Sequence, residues 1–254
     1  MTTLDVEVGH LSMQFSDSRR QWKIDAEKVF AQGYDWVTGT EAGEDDNYRI
    51  VRRAGRKHGY KIHRMRGNWV AVHKSLVKFG TYRRGRAVVE EKEDFIGKGH
   101  DRSLVWATFV HTTPGVGKLA VIGSHYPTKG RPDAKNPIGR RNLSTTRKMG
   151  REISKLMLEL GDGAALAFYG GDQNMVDKNN DTFAAGPVIS CWDELEKWPL
   201  TAPFGNYDLI ARLIKDRRVK CLRARAYNDK DMFFHTDHFL IEAKYEIKLL
   251  GGDA

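Results

Sequence analysis

Cysteine is scarce in this sequence. Only two cysteines, Cys191 and Cys221, occur among its 254 residues. Two thiols exclude a fold built on several disulfides, and they are too few for a structural zinc site. We therefore expect both thiols to be reduced and the protein to reside in the cytoplasm.

Long apolar runs are absent as well. No stretch of about 18 consecutive apolar residues occurs, so the sequence predicts no membrane-spanning helix and no membrane partner. Residues 1–12 lack the basic and then apolar layout of a signal peptide. Hydrophobic residues still make up 40% of the chain, which is enough to bury a sizeable core without disulfides.

Acidic residues are outnumbered, with 33 Asp and Glu against 42 Lys and Arg. The resulting net charge of +9 favours a polyanionic partner such as nucleic acid. Any single basic cluster could equally be a solvated face of the protein. The clusters are Arg52, Arg53, Arg56 and Lys57; Arg83, Arg84 and Arg86; Lys129 and Arg131; Arg140, Arg141, Arg147 and Lys148; and Arg217, Arg218 and Lys220.

Hydrophobic periodicity predicts more strands than helices, with no repeat or linker between them. We expect one domain over residues 1–254, an α/β sandwich of two mostly antiparallel sheets flanked by helices. Residues 171–204 read as a loop-rich stretch. Helices are predicted over 16–33, 45–58 and 137–160, and strands over 4–14, 34–40, 60–64, 69–73, 77–89, 103–111, 118–124, 164–170, 207–213, 219–226 and 238–247.

The polar residues that stand out share one feature, because each lies at the carboxyl end of an apolar strand or just after it. A carboxylate in such a place is more often a turn former or a helix cap than a catalytic group. A histidine beside an apolar run is more often a hydrogen-bonded core residue. Their order along the chain is nevertheless distinctive: Glu41, His125, Asp172, Asn174, Asp208, Asp237 and His238.

These segments resemble the motifs of the endonuclease/exonuclease/phosphatase superfamily, which includes DNase I-like nucleases and abasic-site repair endonucleases. The resemblance covers nearly the whole chain and implies the DNase I-like four-layer sandwich. The matching segments are Glu41 for the Q-E motif, Ser124-His-Tyr-Pro127 for T-H-x-P, Tyr169-Gly-Gly-Asp-Gln-Asn174 for G-D-x-N, Asn206-Tyr-Asp-Leu-Ile210 for the aspartate-bearing strand, and His235-Thr-Asp-His238 for S-D-H.

The resemblance implies a divalent cation, Mg²⁺ with Mn²⁺ as an alternative, held by Glu41 and Asp237. Hard oxygen ligands suit this ion, which neutralises charge that develops on a phosphate. The resemblance also implies that Asp208 orients His238, which accepts the proton of the attacking water.

The remaining polar residues receive supporting roles from the same resemblance. Asp172 and Asn174 would hold the water or a second metal and bind the phosphate. In an extended segment these two would face the same side. His125 would donate a hydrogen bond to the phosphate or protonate the leaving oxygen, although the sequence offers no identifiable carboxylate partner for it.

The chain departs from the family pattern in three places. The first strand lacks the usual asparagine, for which Ser12 or Gln14 could substitute because both offer an oxygen. Thr40 stands where glutamine precedes the ligand glutamate, and Thr236 replaces the serine of S-D-H. These departures leave room for reduced activity or an altered metal preference.

The motifs and the positive charge together predict a metal-dependent phosphodiesterase that cuts nucleic-acid backbones, a DNA endonuclease or nickase. No obligate protein partner is expected. Two alternatives stay open: a phosphatase of small phosphoesters, and a catalytically silent nucleic-acid-binding protein. The candidates for contacts with the nucleic-acid backbone are Arg102, Lys129, Arg140 and Arg141.

Overall fold

The structure is a computed structural model, and it describes most of the chain. Three predicted site residues, Gln14, Lys129 and Asp237, lie outside the described part. Arg140 and Arg141 are described only through their backbone, as are the other residues of 137–144 and residue 90. The described residues are 2–13, 18–42, 45–90, 102–126, 137–162, 165–174, 187–202, 208–227, 236 and 238–251.

The described chain forms two six-stranded sheets. The strands of the first sheet are β1 (Thr3–Ser12), β2 (Trp36–Thr40), β3 (Tyr60–Met65), β4 (Asn68–His73), β11 (Val219–Tyr227) and β12 (Leu240–Lys248). Those of the second are β5 (Arg83–Glu90), β6 (Arg102–Val110), β7 (Lys118–His125), β8 (Leu166–Asp172), β9 (Val188–Ser190) and β10 (Asp208–Leu213).

The strand orders are β11-β12-β1-β2-β4-β3 and β5-β6-β7-β8-β10-β9. The pairs β1–β2 and β7–β8 run parallel, and the other pairs run antiparallel. Helices flank the sheets, namely α1 (Arg19–Ala31), α2 (Asp45–Lys57), α3 (Pro137–Leu160) and α4 (Cys191–Glu194). The predicted sandwich of two mostly antiparallel sheets is confirmed.

Two stretches differ from the sequence prediction. The strand predicted over 77–89 begins only at Arg83, because a turn at Gly80 comes first. Gly80 has a φ of 75°, a conformation that favours glycine. The stretch predicted as loop-rich contains β9 and α4, which are three and four residues long. Elements this short show no hydrophobic period that a sequence could reveal.

Two apolar clusters hold the layers together. Between the sheets, the rings of Trp36 and Phe168 lie 4.8 Å apart, and Phe168 lies 5.3 Å from Tyr245. Helices α1 and α2 cover the outer face of the first sheet, where Phe30 packs 5.8 Å from Trp69. Both cysteines are buried and free, so they form no disulfide. Within the described ranges, no helix is long and apolar enough to cross a membrane.

The inward-facing row of β1 changes character along the strand. Val6 and Val8 belong to the apolar cluster between the sheets. Because alternate residues share a face, His10 and Ser12 continue this row, and both are fully buried. Strand β8 shows the same change and ends at the buried Asp172. One end of the space between the sheets is therefore apolar and the other is polar.

Candidate active site

Strand directions gather the polar residues at one edge of the sandwich. His125 and Asp172 end the parallel strands β7 and β8 and lie in register with each other. Asp208 begins the antiparallel strand β10 and lies opposite Asp172. His238 precedes β12, which runs antiparallel to β1. Asp208 thus begins its strand and His238 precedes its strand, whereas the sequence suggested polar residues at or just after the carboxyl ends of strands.

A buried carboxylate and imidazole form the centre of the site. Asp208 Oδ2 lies 2.6 Å from His238 Nδ1. Asp208 is fully buried, and His238 is 5% exposed. The Asp208 backbone is fixed in turn, because its N–H donates to Thr201 Oγ1 at 3.0 Å and its carbonyl accepts from Trp192 Nε1 at 3.0 Å. The carboxylate therefore holds the ring of His238 in one orientation.

A second histidine, which sequence reasoning missed, lies on the other oxygen of Asp208. His10 Nε2 is 3.3 Å from Asp208 Oδ1, and His10 Nδ1 is 2.8 Å from Thr38 Oγ1. When the Thr38 hydroxyl donates to Nδ1, the Nε2–H points at the carboxylate. The available signal was the spacing of His10 and Ser12, which places both on the inward face of β1.

Asp172 joins the two halves of the site. Its Oδ2 atom lies 3.7 Å from His238 Nε2 and 3.4 Å from His125 Nε2. The same oxygen is buried and accepts no hydrogen bond from any described residue. Asp172 is thus a buried carboxylate with an imidazole on either side.

The second half of the site contains the predicted metal ligand Glu41. Its Oε1 atom lies 2.8 Å from His125 Nδ1, so His125 has the carboxylate partner that the sequence could not identify. Glu41 follows β2 with a φ of 69°, a backbone conformation uncommon for a non-glycine residue. Such strain is found most often where function requires a side chain in one place.

Asn174 also adopts a left-handed conformation, with a φ of 52°. Its N–H donates to Asp172 Oδ1 at 2.8 Å, which closes a turn. Its Nδ2 atom lies 2.7 Å from His125 Nε2 and donates to the Tyr126 carbonyl at 3.0 Å. The extended segment expected for Asp172 and Asn174 is therefore wrong, and a turn brings the two side chains to His125.

Burial and neighbouring charges shift the pKa values of the two aspartates in opposite directions. Burial, reinforced by the charge of Asp208, raises the pKa of Asp172. Burial would also raise the pKa of Asp208, but the charge of His238 and the hydrogen bond from His10 outweigh it and lower that pKa. A pair of carboxyl groups shifted apart is typical of sites with distinct acid and base roles.

His125 favours its charged form. Burial acts to lower its pKa, but the carboxylates of Glu41 and Asp172 act against burial and raise it above the ordinary value. A protonated His125 could donate a proton or a hydrogen bond, as the sequence suggested.

The other predicted site residues lie around this cluster or outside the described part. Ser12 Oγ accepts from Thr40 Oγ1 at 2.8 Å, and the Ser12 carbonyl accepts from Thr236 Oγ1 at 2.8 Å. Arg102 Nη1 donates to the Tyr126 carbonyl at 3.3 Å, the oxygen that also binds Asn174. Gln14, Lys129 and Asp237 lie outside the described part of the chain, and so do the side chains of Arg140 and Arg141.

Comparison with known proteins identifies the fold. No protein-family profile matches the chain, and no curated protein does. An endonuclease/exonuclease/phosphatase family protein from Bacteroides thetaiotaomicron is similar, with a TM-score of 0.70 at 14% identity over 98% of this chain and 100% of that one. This chain has the endonuclease/exonuclease/phosphatase fold. The resemblance predicted from the motifs is confirmed at the level of the fold.

Two further structures with this fold belong to proteins that bind chemically different molecules. Mannosyl-6-phosphatase from Bacteroides thetaiotaomicron matches with a TM-score of 0.68 at 13% identity, over 94% of this chain and 99% of that one. D. rerio TDP2, in complex with a single-strand DNA product, matches with 0.65 at 14% identity, over 95% and 98%. At sequence identities this low, structural similarity shows a shared fold but not a shared substrate.

A divalent cation suits the donor atoms of this endonuclease/exonuclease/phosphatase fold. Ligand atoms of Asp172, Asp208 and His238 lie within 4.8 Å of one another. Asp172 and Asp208 repel each other in a buried place, and a cation would relieve this repulsion. Carboxylate oxygens are the ligands that Mg²⁺ prefers. This group differs from the predicted pair of Glu41 and Asp237, although Glu41 reaches it through His125.

Proposed function

We propose that this protein is a divalent-metal-dependent phosphodiesterase that hydrolyses nucleic-acid backbones, acting as a DNA endonuclease or nickase. The observation that carries the proposal is the buried pair of Asp208 and His238, 2.6 Å apart, with Asp172 facing the other ring nitrogen. A carboxylate that binds one imidazole nitrogen leaves the other to accept a proton.

Water activation is assigned to His238. Asp208 binds Nδ1 and stabilises the ring when it becomes charged, so Nε2 takes the proton from the attacking water. The lowered pKa of Asp208 supports this assignment, because the carboxylate stays ionised at neutral pH. Asp172, 3.7 Å from Nε2, lies where it can orient that water.

Glu41 and Asp237 would hold the cation, Mg²⁺ or alternatively Mn²⁺. When bound, the ion supplies positive charge that offsets the negative charge developing on the phosphate. Ser12 and Gln14 replace the usual asparagine as candidate supports of this site. The hydrogen bonds from Thr40 to Ser12 Oγ and from Thr236 to the Ser12 carbonyl join Ser12 to both ligand segments.

The phosphate would be bound by His125 and Asn174. Both carry donors at the edge of the site, and the raised pKa of His125 equips it to give a proton to the leaving oxygen. Arg102 lies next to them and is assigned a backbone contact, and we assign the same role to Lys129, Arg140 and Arg141 on charge alone.

Nucleic acid is the preferred substrate class because of the net charge of +9. TDP2, which shares the fold, is found in complex with a single-strand DNA product, which also supports this choice. The fold of mannosyl-6-phosphatase keeps a small phosphoester as the second candidate. The single domain of residues 1–254 and the cytoplasmic location remain predictions from the sequence.

Nicking of supercoiled plasmid tests the proposal. Purified protein should convert the plasmid to the open circular form with Mg²⁺ or Mn²⁺, and EDTA should abolish the conversion. Asp172→Asn removes a buried charge with little change in shape, and it should abolish nicking as well.

The same assay separates the alternatives. Release of phosphate from soluble monoesters with intact plasmid would identify a phosphatase. Retention of DNA binding without cleavage under Mg²⁺, Mn²⁺ and Ca²⁺ would identify a silent binding protein. Nicking that continues undiminished in EDTA would overturn the metal-dependent mechanism.

A further inference from the structure

Edge strands of the two sheets meet beside α2. Strand β3 ends the first sheet and β5 ends the second, and β3 lies against both β5 and α2. Basic clusters that are separate in the sequence therefore come together in space. We call this surface the basic edge, and its members are Arg52, Arg56, Lys61, Arg64, Arg84 and Arg86.

Electrostatic effects on two neighbouring side chains show that these charges converge. Burial raises the pKa of Tyr48 on α2, and four guanidinium groups from three elements oppose that rise, those of Arg52, Arg64, Arg56 and Arg84. Burial lowers the pKa of His63 on β3, and Arg84 and Arg86 of β5 lower it further. One set of positive charges thus spans α2, β3 and β5.

Few acidic groups offset these charges. Arg64 forms an ion pair with Asp45 and stacks over the ring of Tyr48 at 4.3 Å. Arg52, Arg56, Arg84 and Arg86 form no ion pair with any residue in the described part, and all four are exposed. Positive charge left uncompensated on an exposed surface attracts a polyanion.

The opposite side of α2 differs although it is also basic. There Asp46 lies 3.3 Å from Arg49 and 2.6 Å from Arg19, and Glu27 lies 2.8 Å from Lys57. In the groove between α1 and α2, two carboxylates therefore pair with three of the basic side chains. On the basic edge, Arg52, Arg56, Arg84 and Arg86 have no such carboxylate partner in the described part.

The basic edge leads to the candidate active site. Arg64 Nη1 donates to the carbonyl of Ala42, the residue after Glu41, at 3.5 Å. Where the β3–β4 turn meets the second sheet, Asn68 Nδ2 donates to the carbonyl of Ser103, which follows Arg102. Phosphates bound along the edge would therefore continue to Glu41 on one side and Arg102 on the other.

We propose that the basic edge binds the phosphate backbone of the nucleic-acid strand that enters the active site. The inference rests on the proposed function for its choice of partner, because an anionic membrane would also be attracted by the charge. A strand fits better, since the surface lies at a narrow edge between two sheets and leads to the site. Phe79, fully exposed in the turn before β5 and thus at the end of β5 away from Arg102, offers a ring on which a base can stack.

Binding measured without turnover tests this inference. The probes are fluorescently labelled single-stranded and duplex oligonucleotides, and EDTA prevents cleavage. The variants Arg52→Ala/Arg56→Ala and Arg84→Ala/Arg86→Ala should each raise the Kd about tenfold. The slope of log K against log salt should become shallower by about 0.7 to 0.9 for each lost phosphate contact.

The chain provides a matched control on the same helix. Arg49→Ala/Arg53→Ala removes two charges from the side of α2 that faces α1, where Arg49 pairs with Asp46, and it should change the Kd much less. Phe79→Ala should weaken single-strand binding more than duplex binding. Equal losses in the edge and control variants would overturn the inference, as would binding to phosphatidylserine vesicles with none to the oligonucleotides.

The outcome is independent of catalysis. Edge variants that lose affinity support the basic edge even if the wild type cleaves nothing, in which case the phosphodiesterase proposal alone falls. Cleavage by a wild type whose edge variants bind normally leaves the active site intact and overturns the basic edge.

Discussion

The space between the two sheets has two ends, built from the same strands with opposite chemistry. The apolar end contains Val6, Trp36 and Phe168, which pack side by side and exclude water. The polar end contains His10, Asp172, Asp208 and His238, further along the same or neighbouring strands. Burial stabilises the fold at the first end, whereas at the second it shifts the pKa values of charged groups.

This contrast separates stability from activity. Substitution at the polar end should alter catalysis with a modest effect on folding. Substitution at the apolar end should do the reverse. Each end can be perturbed without touching the other, because the strands hold them apart along their length.

The largest effect is expected at His238. His238→Gln keeps a donor for Asp208 but removes the nitrogen that accepts a proton, so nicking should slow about 10³-fold or more. Circular dichroism should show a thermal midpoint close to that of the wild type. Comparable nicking rates in the two proteins would show that His238 is not the base.

The apolar end should respond in the opposite way. Phe168→Ala removes a fully buried ring between Trp36 and Tyr245, and it should lower the free energy of unfolding by about 3 to 5 kcal/mol. Urea denaturation measures the loss. The nicking rate per folded molecule should stay unchanged at low temperature. A lower nicking rate without a loss of stability would contradict the proposed difference between the two ends.

Asp35, the residue before β2, offers a pH test away from the site. Its Oδ2 accepts the Glu7 N–H at 2.6 Å, yet burial outweighs that bond and raises its pKa from 3.8 to about 6. Below pH 3.8 both the folded and the unfolded carboxyl are protonated, so the shift has no effect. As the pH rises towards 6, the unfolded chain ionises first, and the folded state is progressively destabilised.

Asp35→Asn should therefore raise the free energy of unfolding at neutral pH by about 1 to 3 kcal/mol. The gain should disappear in acid, and nicking should not change. Urea denaturation of both proteins over a pH series measures the difference. A gain that persists below the ordinary pKa would indicate a cause other than ionisation.

The smallest effect is expected at His10, which acts on Asp208 and not on the substrate. His10→Phe keeps a ring but removes the contact at 3.3 Å, and it should lower kcat about tenfold with KM unchanged. His10→Gln restores a donor and should recover part of the loss. A change confined to KM, or no recovery with glutamine, would argue against a positioning role.

The sequence predicts the framework of the site better than its contacts. Glu41, His125 and Asp172 could be identified because each ends or follows an apolar strand within a distinctive motif. The pairing of Asp208 with His238 was only implied by resemblance, since spacing along a chain does not fix distance in space. The carboxylate partner of His125 was not identifiable for the same reason.

Features that depend on tertiary packing could not be predicted. His10 belongs to β1, and it contacts Asp208 only because the fold places β10 next to it. The left-handed backbone of Asn174 replaces the extended segment that spacing suggested. The basic edge needs β3 and β5 to end their sheets on the same side, and no local pattern contains that information.

Binding of Mn²⁺ tests the central claim most directly, because the polar end is proposed to gather around a shared cation. Electron paramagnetic resonance distinguishes free from bound Mn²⁺ during a titration. Wild type should bind the ion, Glu41→Gln should bind it far more weakly, and Phe168→Ala should bind it normally while folded. A wild type that binds no Mn²⁺, or binds it equally well without the Glu41 carboxylate, would contradict the account.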